Sequence, residues 1–217
     1  MELEAYDLKA YDVRVLCAAS RPGRGVLRMS YELSGMGMQD VLGLGAGDGV
    51  SARADGLWKR TCMEVFVRRA PESGQACESD PYFELNAEPP QPLAHWQVYR
   101  FDSYRRASTP PEAEGVCLTS VSARWLGDAP ESRAWKLELE AQLPPEAAEW
   151  PAWEIFPAAI VQGVDRPSGK FYEAFWASGH ADGQPDFHRM VTSTGGAMVL
   201  ADPALTTSVP SAAGQGP

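Results

Sequence analysis

The feature that most restricts what this chain can fold into is a period of two. Tyr11, Val13, Val15 and Cys17 alternate with other residues, and after the turn-forming Arg21-Pro-Gly-Arg-Gly25 the pattern resumes with Leu27, Met29, Tyr31 and Leu33. Neighbouring side chains of a strand point to opposite faces, so these runs predict a hairpin with one buried side. The same alternation over Thr61–Arg69 sets Met63, Val65 and Val67 against Cys62, Glu64, Phe66 and Arg68. Over Tyr82–Ala87 it sets Phe83 and Leu85 against Tyr82, Glu84 and Asn86. Further strands are predicted over His95–Tyr104, Val116–Leu126, Trp135–Ala141, Trp153–Val164, Lys170–Ala177 and Phe187–Thr194. One helical turn fits Pro145–Trp150, where proline and Glu146 suit a helix start. The expected fold is all-β, an antiparallel β-sandwich of jelly-roll or immunoglobulin-like type with about ten strands.

Glycine and proline set the punctuation. Together they occupy 38 positions (20 Gly and 18 Pro), mostly where turns are needed. Ser34–Leu57 holds seven glycines in 24 residues and reads as a long flexible connection with a short strand near Val41–Leu44. Its run Gly43-Leu-Gly-Ala-Gly-Asp-Gly49 is no phosphate loop: Asp48 stands where a third glycine is required and no amphipathic helix follows. Residues 1–201 are read as one domain, and 202–217, poor in charged and aromatic residues, as a disordered tail.

The formal net charge of −10, without a Lys/Arg run, excludes nucleic acid and anionic membranes as expected partners, because both require a cationic face. Glu2, Glu4 and Asp7 stand where a signal peptide needs a basic start, so a cytoplasmic location is expected. Cys17, Cys62, Cys77 and Cys117 lie far apart with no C-x-x-C pair and are read as free thiols.

Three segments carry a resemblance. Asp55-Gly-Leu-Trp-Lys-Arg-Thr-Cys-Met-Glu-Val-Phe-Val67 is followed by Tyr82-Phe-Glu-Leu-Asn86 with Trp96-Gln-Val-Tyr-Arg-Phe-Asp102, and then by Phe175-Trp-Ala-Ser-Gly-His180 with Pro185-Asp-Phe-His188. In this order they resemble the bacterial DOMON-like domain proteins, relatives of the family 9 carbohydrate-binding modules. The resemblance implies a two-sheet sandwich in a superfamily whose members bind sugars or haem. It also implies two tryptophans stacking on a sugar ring, one of them six residues before a strand glutamate. Trp58 and Glu64 keep that spacing, and Trp176 lies on the strand comparable to that of the second tryptophan. Where the relatives carry an arginine, this chain has Glu84.

A sugar offers apolar C–H faces and a rim of hydroxyls, so it is held by flat aromatic walls and a few carboxylates or amides. The expected function is therefore a non-catalytic module for a small molecule, a saccharide first, with Trp58 and Trp176 as walls and Glu64 and Asn86 orienting hydroxyls. The competing packing roles are an ion pair of Glu64 with Arg60 or Arg100, and Asn86 organising the turn after it. His188 and Asp186 are expected to pin the last loop, with ligand contact as a second role, and His180 is a further candidate for ligand contact. Two rival functions stand beside the saccharide. A haem protein would use His188 with Met63 or Met190, and a glycan-processing enzyme would use Glu64 with Glu84. Calcium is a further cofactor candidate through the loop residues Asp48, Asp55 and Asp182.

Overall fold

The computed structural model describes residues 1–6, 12–71, 80–102, 105–106, 116–127, 133–179, 186–188 and 197–203. Among them the alternating runs become strands β1 (Glu4–Ala5), β2 (Arg14–Gly23), β3 (Val26–Ser34), β4 (Gly47–Asp48), β5 (Val50–Arg53), β6 (Cys62–Arg69) and β7 (Tyr82–Ala87). These are followed by β8 (Ala94–Asp102), β9 (Arg105–Arg106), β10 (Cys117–Leu126) and β11 (Ala134–Gln142), then the helical turn α1 (Pro145–Ala148), β12 (Ala152–Asp165), β13 (Lys170–Ala177) and β14 (Met198–Ala201). They form two mostly antiparallel sheets. One has nine strands in the order β1-β13-β12-β6-β7-β8-β5, with β14 also on β12 and β9 on β8; the other has five in the order β2-β3-β11-β10-β4. The all-β sandwich expected from alternation is the fold found, with fourteen strands among the described residues where about ten were anticipated, three of them only two residues long.

The core lies between the sheets and is built by the predicted faces. Val15, Cys17, Leu27, Met29 and Leu33 from one sheet pack with Met63, Val65, Val67, Phe83 and Leu85 from the other in one buried cluster. Each such side chain contributes about 1.5–3 kcal/mol when fully buried. Tyr31 also belongs to this layer, and its hydroxyl crosses to the opposite sheet, donating to the Glu64 carbonyl at 2.5 Å. Opposite-face residues of β6 and β12, Phe66, Phe156, Ala158 and Ile160, join Tyr82 and Phe187 in a second, smaller cluster outside the nine-stranded sheet.

Proline inside β12 would ordinarily break a central strand. Here one edge of β12 is shared: β14 pairs with Ala152–Ile155 and β13 with Ala158–Asp165, and Pro157 falls in the gap between them. A missing N–H is least damaging there.

Several expectations are corrected. The stretch from Ser34 to Leu57 is not a free connection with a strand near Val41–Leu44, but holds a 3-10 helix at Met36–Asp40 followed by β4 and β5. Its glycines let it lie against neighbouring backbone: a Cβ on Gly45 would fall on the Pro90 carbonyl oxygen, and Trp135 Nε1 donates to the Gly45 carbonyl at 2.7 Å. The last predicted strand, Phe187–Thr194, is also replaced. Phe187 and His188 have helical backbone, residues 189–194 lie outside the described residues, and the closing strand is β14. Asp202, read as the first residue of the tail, is buried and belongs to the domain. Its backbone N–H donates to the Pro151 carbonyl at 2.8 Å and its carboxylate meets Arg21 at 3.1 Å. The tail from 204 onward lies outside the described residues. No helix among the described residues is long and apolar enough to cross a membrane.

Cys17, Cys62 and Cys117 are free thiols, the first two buried and the third half-buried; Cys77 lies outside the described residues. Burial pushes the Cys17 thiol up to about 11 and Cys62 well above the ordinary thiol range, the latter helped by Glu64, Glu84 and Glu88. Since the thiolate is the reactive form, site-resolved alkylation of the native protein near neutral pH is expected to label Cys117 well before Cys17 and Cys62. Equal rates at the three would contradict this packing.

Candidate functional site

Alternation places Glu64 on β6 and Glu84 and Asn86 on β7 with their side chains on the outer face of the nine-stranded sheet, opposite Met63, Val65, Phe83 and Leu85. Register then assembles the neighbours. Glu64 is paired across the strands with Asn86 and Asn86 with Gln97, while Phe66 is paired with Glu84 and Glu84 with Tyr99. A pocket of about 360 Å3 opens over this face, lined at its polar end by Glu64, Glu84, Asp186 and His188. Its walls are aromatic, chiefly Trp58, Tyr99, Phe101, Phe66 and Phe175.

Trp58 reaches the rim because the chain turns sharply before it. Gly56 takes a left-handed backbone (φ 76°), which glycine adopts without a steric penalty, and opens the 3-10 turn Leu57–Lys59. Leu57 is buried beneath the turn, leaving Trp58 39% exposed with its ring edge-on to Tyr99 at 5.8 Å.

Glu64 is only 3% exposed, and its Oε1 has no hydrogen-bond partner. It forms no ion pair with either arginine considered from the sequence: Arg60 pairs with Glu88, and Arg100 with Asp102 and Glu146. Loss of hydration, with the nearby Glu84 adding to it, holds the Glu64 carboxyl well above the usual carboxylate range and favours its neutral form. Asn86 does not organise the following turn. Its Nδ2 donates to Glu84 Oε1 at 2.6 Å, while its Oδ1 is buried without a partner.

His188 closes the pocket from the other side. Its Nδ1 lies 2.9 Å from the Tyr82 hydroxyl, its backbone N–H donates to Asp186 Oδ1 at 3.1 Å, and its ring packs 4.5 Å from Phe101. Burial lowers its tendency to protonate more than Asp186 restores it, so the ring is neutral near pH 7. The 3.7 Å approach of Nε2 to Glu84 Oε2 is then a polar contact, not an ion pair.

The structure thus brings Trp58, Glu64, Glu84 and His188 to one pocket and places Asn86 directly against Glu84. It does not bring Trp176 there. Trp176 is on β13 but on the inner face, 1% exposed within the inter-sheet core, and the outward residue beside it, Phe175, lines the pocket instead. The expected pair of tryptophan walls is corrected to Trp58 with Tyr99, Phe101 and Phe175. His180 lies outside the described residues. The members that sequence reasoning missed, Tyr99 and Phe101 on β8, have a signal only in pairing: Tyr99 is opposite Glu84 and Phe101 opposite Tyr82.

The cofactor candidates are constrained by the same geometry. Met63 faces the inter-sheet core and His188 the outer face of the sheet, so this pair cannot ligate one iron; Met190 lies outside the described residues. Among the described residues no group of three or more His, Cys, Asp or Glu side chains is placed to hold a metal ion. Of the calcium candidates, Asp48 is in β4, Asp55 accepts from Gln97 and pairs with Arg53, and Asp182 lies outside the described residues.

A larger groove of about 890 Å3 runs over the outer face of the five-stranded sheet, lined by Ser20, Ser30, Ser120 and Ser122 among others. Among its charged side chains Arg28 is matched with Glu140, and Glu138 with Lys136 and Arg124. The smaller pocket, with its buried unmatched carboxyl, is the better site. Compared with protein-family models and with curated proteins, the chain matches none of them.

Proposed function

We propose that the protein is a non-catalytic binding module whose pocket takes a small molecule, a saccharide in particular. The observation that carries the reading is Glu64: a buried carboxyl with one oxygen unsatisfied, opening into an aromatic-walled pocket of small-ligand size. An unsatisfied buried polar atom costs about 1–3 kcal/mol, and a ligand hydroxyl would relieve it. Glu64 as a neutral acid donates, Glu84 already accepts from Asn86 and offers a second oxygen, and a sugar hydroxyl can both donate and accept. The aromatic walls suit the C–H faces of the same ring. The six-residue spacing of Trp58 and Glu64, which underlies the resemblance to sugar-binding relatives, here joins two residues of one pocket.

The test is a glycan array followed by calorimetry on the glycans retained. Trp58→Ala is expected to weaken binding about tenfold, the loss of one ring contact of about 1.4 kcal/mol, while the melting temperature moves by less than about 3 °C because the ring is partly exposed. Retention of no glycan, or unchanged affinity in Trp58→Ala for each one retained, would sink the reading.

A further inference from the structure

We propose that the saccharide taken by this pocket is an amino sugar, whose ammonium group sits against Glu64 beneath the aromatic walls. The inference rests on the saccharide reading and adds the charge of the ligand.

Three observations carry it. The described residues lining the pocket include three carboxyl groups, on Glu64, Glu84 and Asp186, and no lysine or arginine. Glu64 Oε1, which opens on the pocket, and the neighbouring Asn86 Oδ1 and Gln97 Oε1 are buried acceptors without hydrogen-bond partners. An ammonium group supplies three donors and no acceptor. The walls are the faces and edges of Trp58, Tyr99 and Phe101, and aromatic rings attract a desolvated cation. The net charge of −10 draws the same class of ligand from solution.

Binding then has a definite proton balance. In the empty pocket burial favours the protonated form of Glu64. Several groups surround it: Glu84 on β7, Cys62 on its own strand, the Tyr31 hydroxyl at its backbone carbonyl, and Asp186 with neutral His188 across the pocket. None of these supplies a positive charge. An entering ammonium does, so the Glu64 proton leaves to solvent as the ion pair forms. Affinity for the amine therefore rises with pH by up to about tenfold per unit while the empty pocket holds that proton, and levels once it is lost or the amine itself deprotonates. A neutral sugar releases no proton.

The experiment is calorimetry on the full chain with D-glucosamine, N-acetyl-D-glucosamine, D-glucose and benzylamine, each in two buffers of different ionisation heat. Glucosamine is expected to bind at least tenfold tighter than the other two sugars and to release protons on binding, with an affinity that rises with pH over the range in which Glu64 is protonated. Glu64→Gln, nearly isosteric and checked by near-UV circular dichroism, is expected to abolish both the preference and the proton release. Equal affinity for the three sugars, or glucosamine binding without proton release, overturns the amino-sugar assignment and leaves the saccharide reading standing. Benzylamine bound with proton release while no sugar binds overturns the saccharide reading and the amino-sugar assignment with it, and leaves only an ammonium subsite at Glu64. Binding of no probe overturns both.

Discussion

Trp176→Ala is expected to destabilise the domain by about 3–5 kcal/mol, the range for removing a large aromatic side chain from a packed core. Trp176 is almost completely enclosed, in the layer that also holds Trp135 and Trp153, and its strand β13 is the one on which the N-terminal β1 pairs. The loss would shorten or abolish the native baseline in urea unfolding. Trp176→Phe, which restores most of the ring, is expected to recover the larger part of the stability and to leave ligand affinity within about twofold of the parent. Trp58→Ala should show the converse pattern, weak binding in a stable protein. If Trp176→Phe weakened binding as much as Trp58→Ala while remaining folded, the inward placement of Trp176 would be wrong.

Arg21→Met is expected to cost about 3–5 kcal/mol, the penalty for leaving one member of a buried ion pair alone. Arg21 lies in an irregular part of β2, where the register with β3 shifts between Ser20 and Gly23 and the side chain turns inward. There it donates to the Trp150 carbonyl at 2.9 Å and the Ala148 carbonyl at 3.0 Å, and its guanidinium stacks 4.1 Å over the Trp153 ring. The pair with Asp202 is shielded from solvent on both sides, so added salt is expected to change the loss little. Asp202→Leu alone should cost a comparable amount. The double variant Arg21→Met/Asp202→Leu should recover part of the loss, because no charge is then stranded. Fully additive losses in denaturant unfolding would show that the two residues do not act together.

The sequence made some of these relations legible and hid others, for physical reasons. In β6 and β7 the alternation separates aliphatic from polar residues, so Glu64, Glu84 and Asn86 could be assigned a common outer face before any pairing was known. In β13 it cannot decide. Tyr172, Ala174 and Trp176 occupy one face and Phe171, Glu173 and Phe175 the other, so each face carries aromatic residues. Which side meets the second sheet depends on packing partners far away in the chain. Tyr99 and Phe101 enter the pocket through register with β7, which a single strand's pattern does not contain. The glycine-rich stretch before Trp58 misleads in another way: its glycines mark close approaches of backbone to backbone, and composition alone does not distinguish those from freedom.

The hydrogen bond from Tyr31 gives the distant sheet a hold on the pocket floor. Its hydroxyl is fixed to the backbone of the residue whose carboxyl lines the pocket, from the side of β6 turned away from that pocket. A variant selected for altered affinity would therefore not have to change a lining residue. Substitutions along β3 that shift the Tyr31 ring could reposition Glu64 while leaving every contact surface of the pocket chemically the same, so the selectable positions extend through the core to a strand that a survey of ligand contacts would pass over.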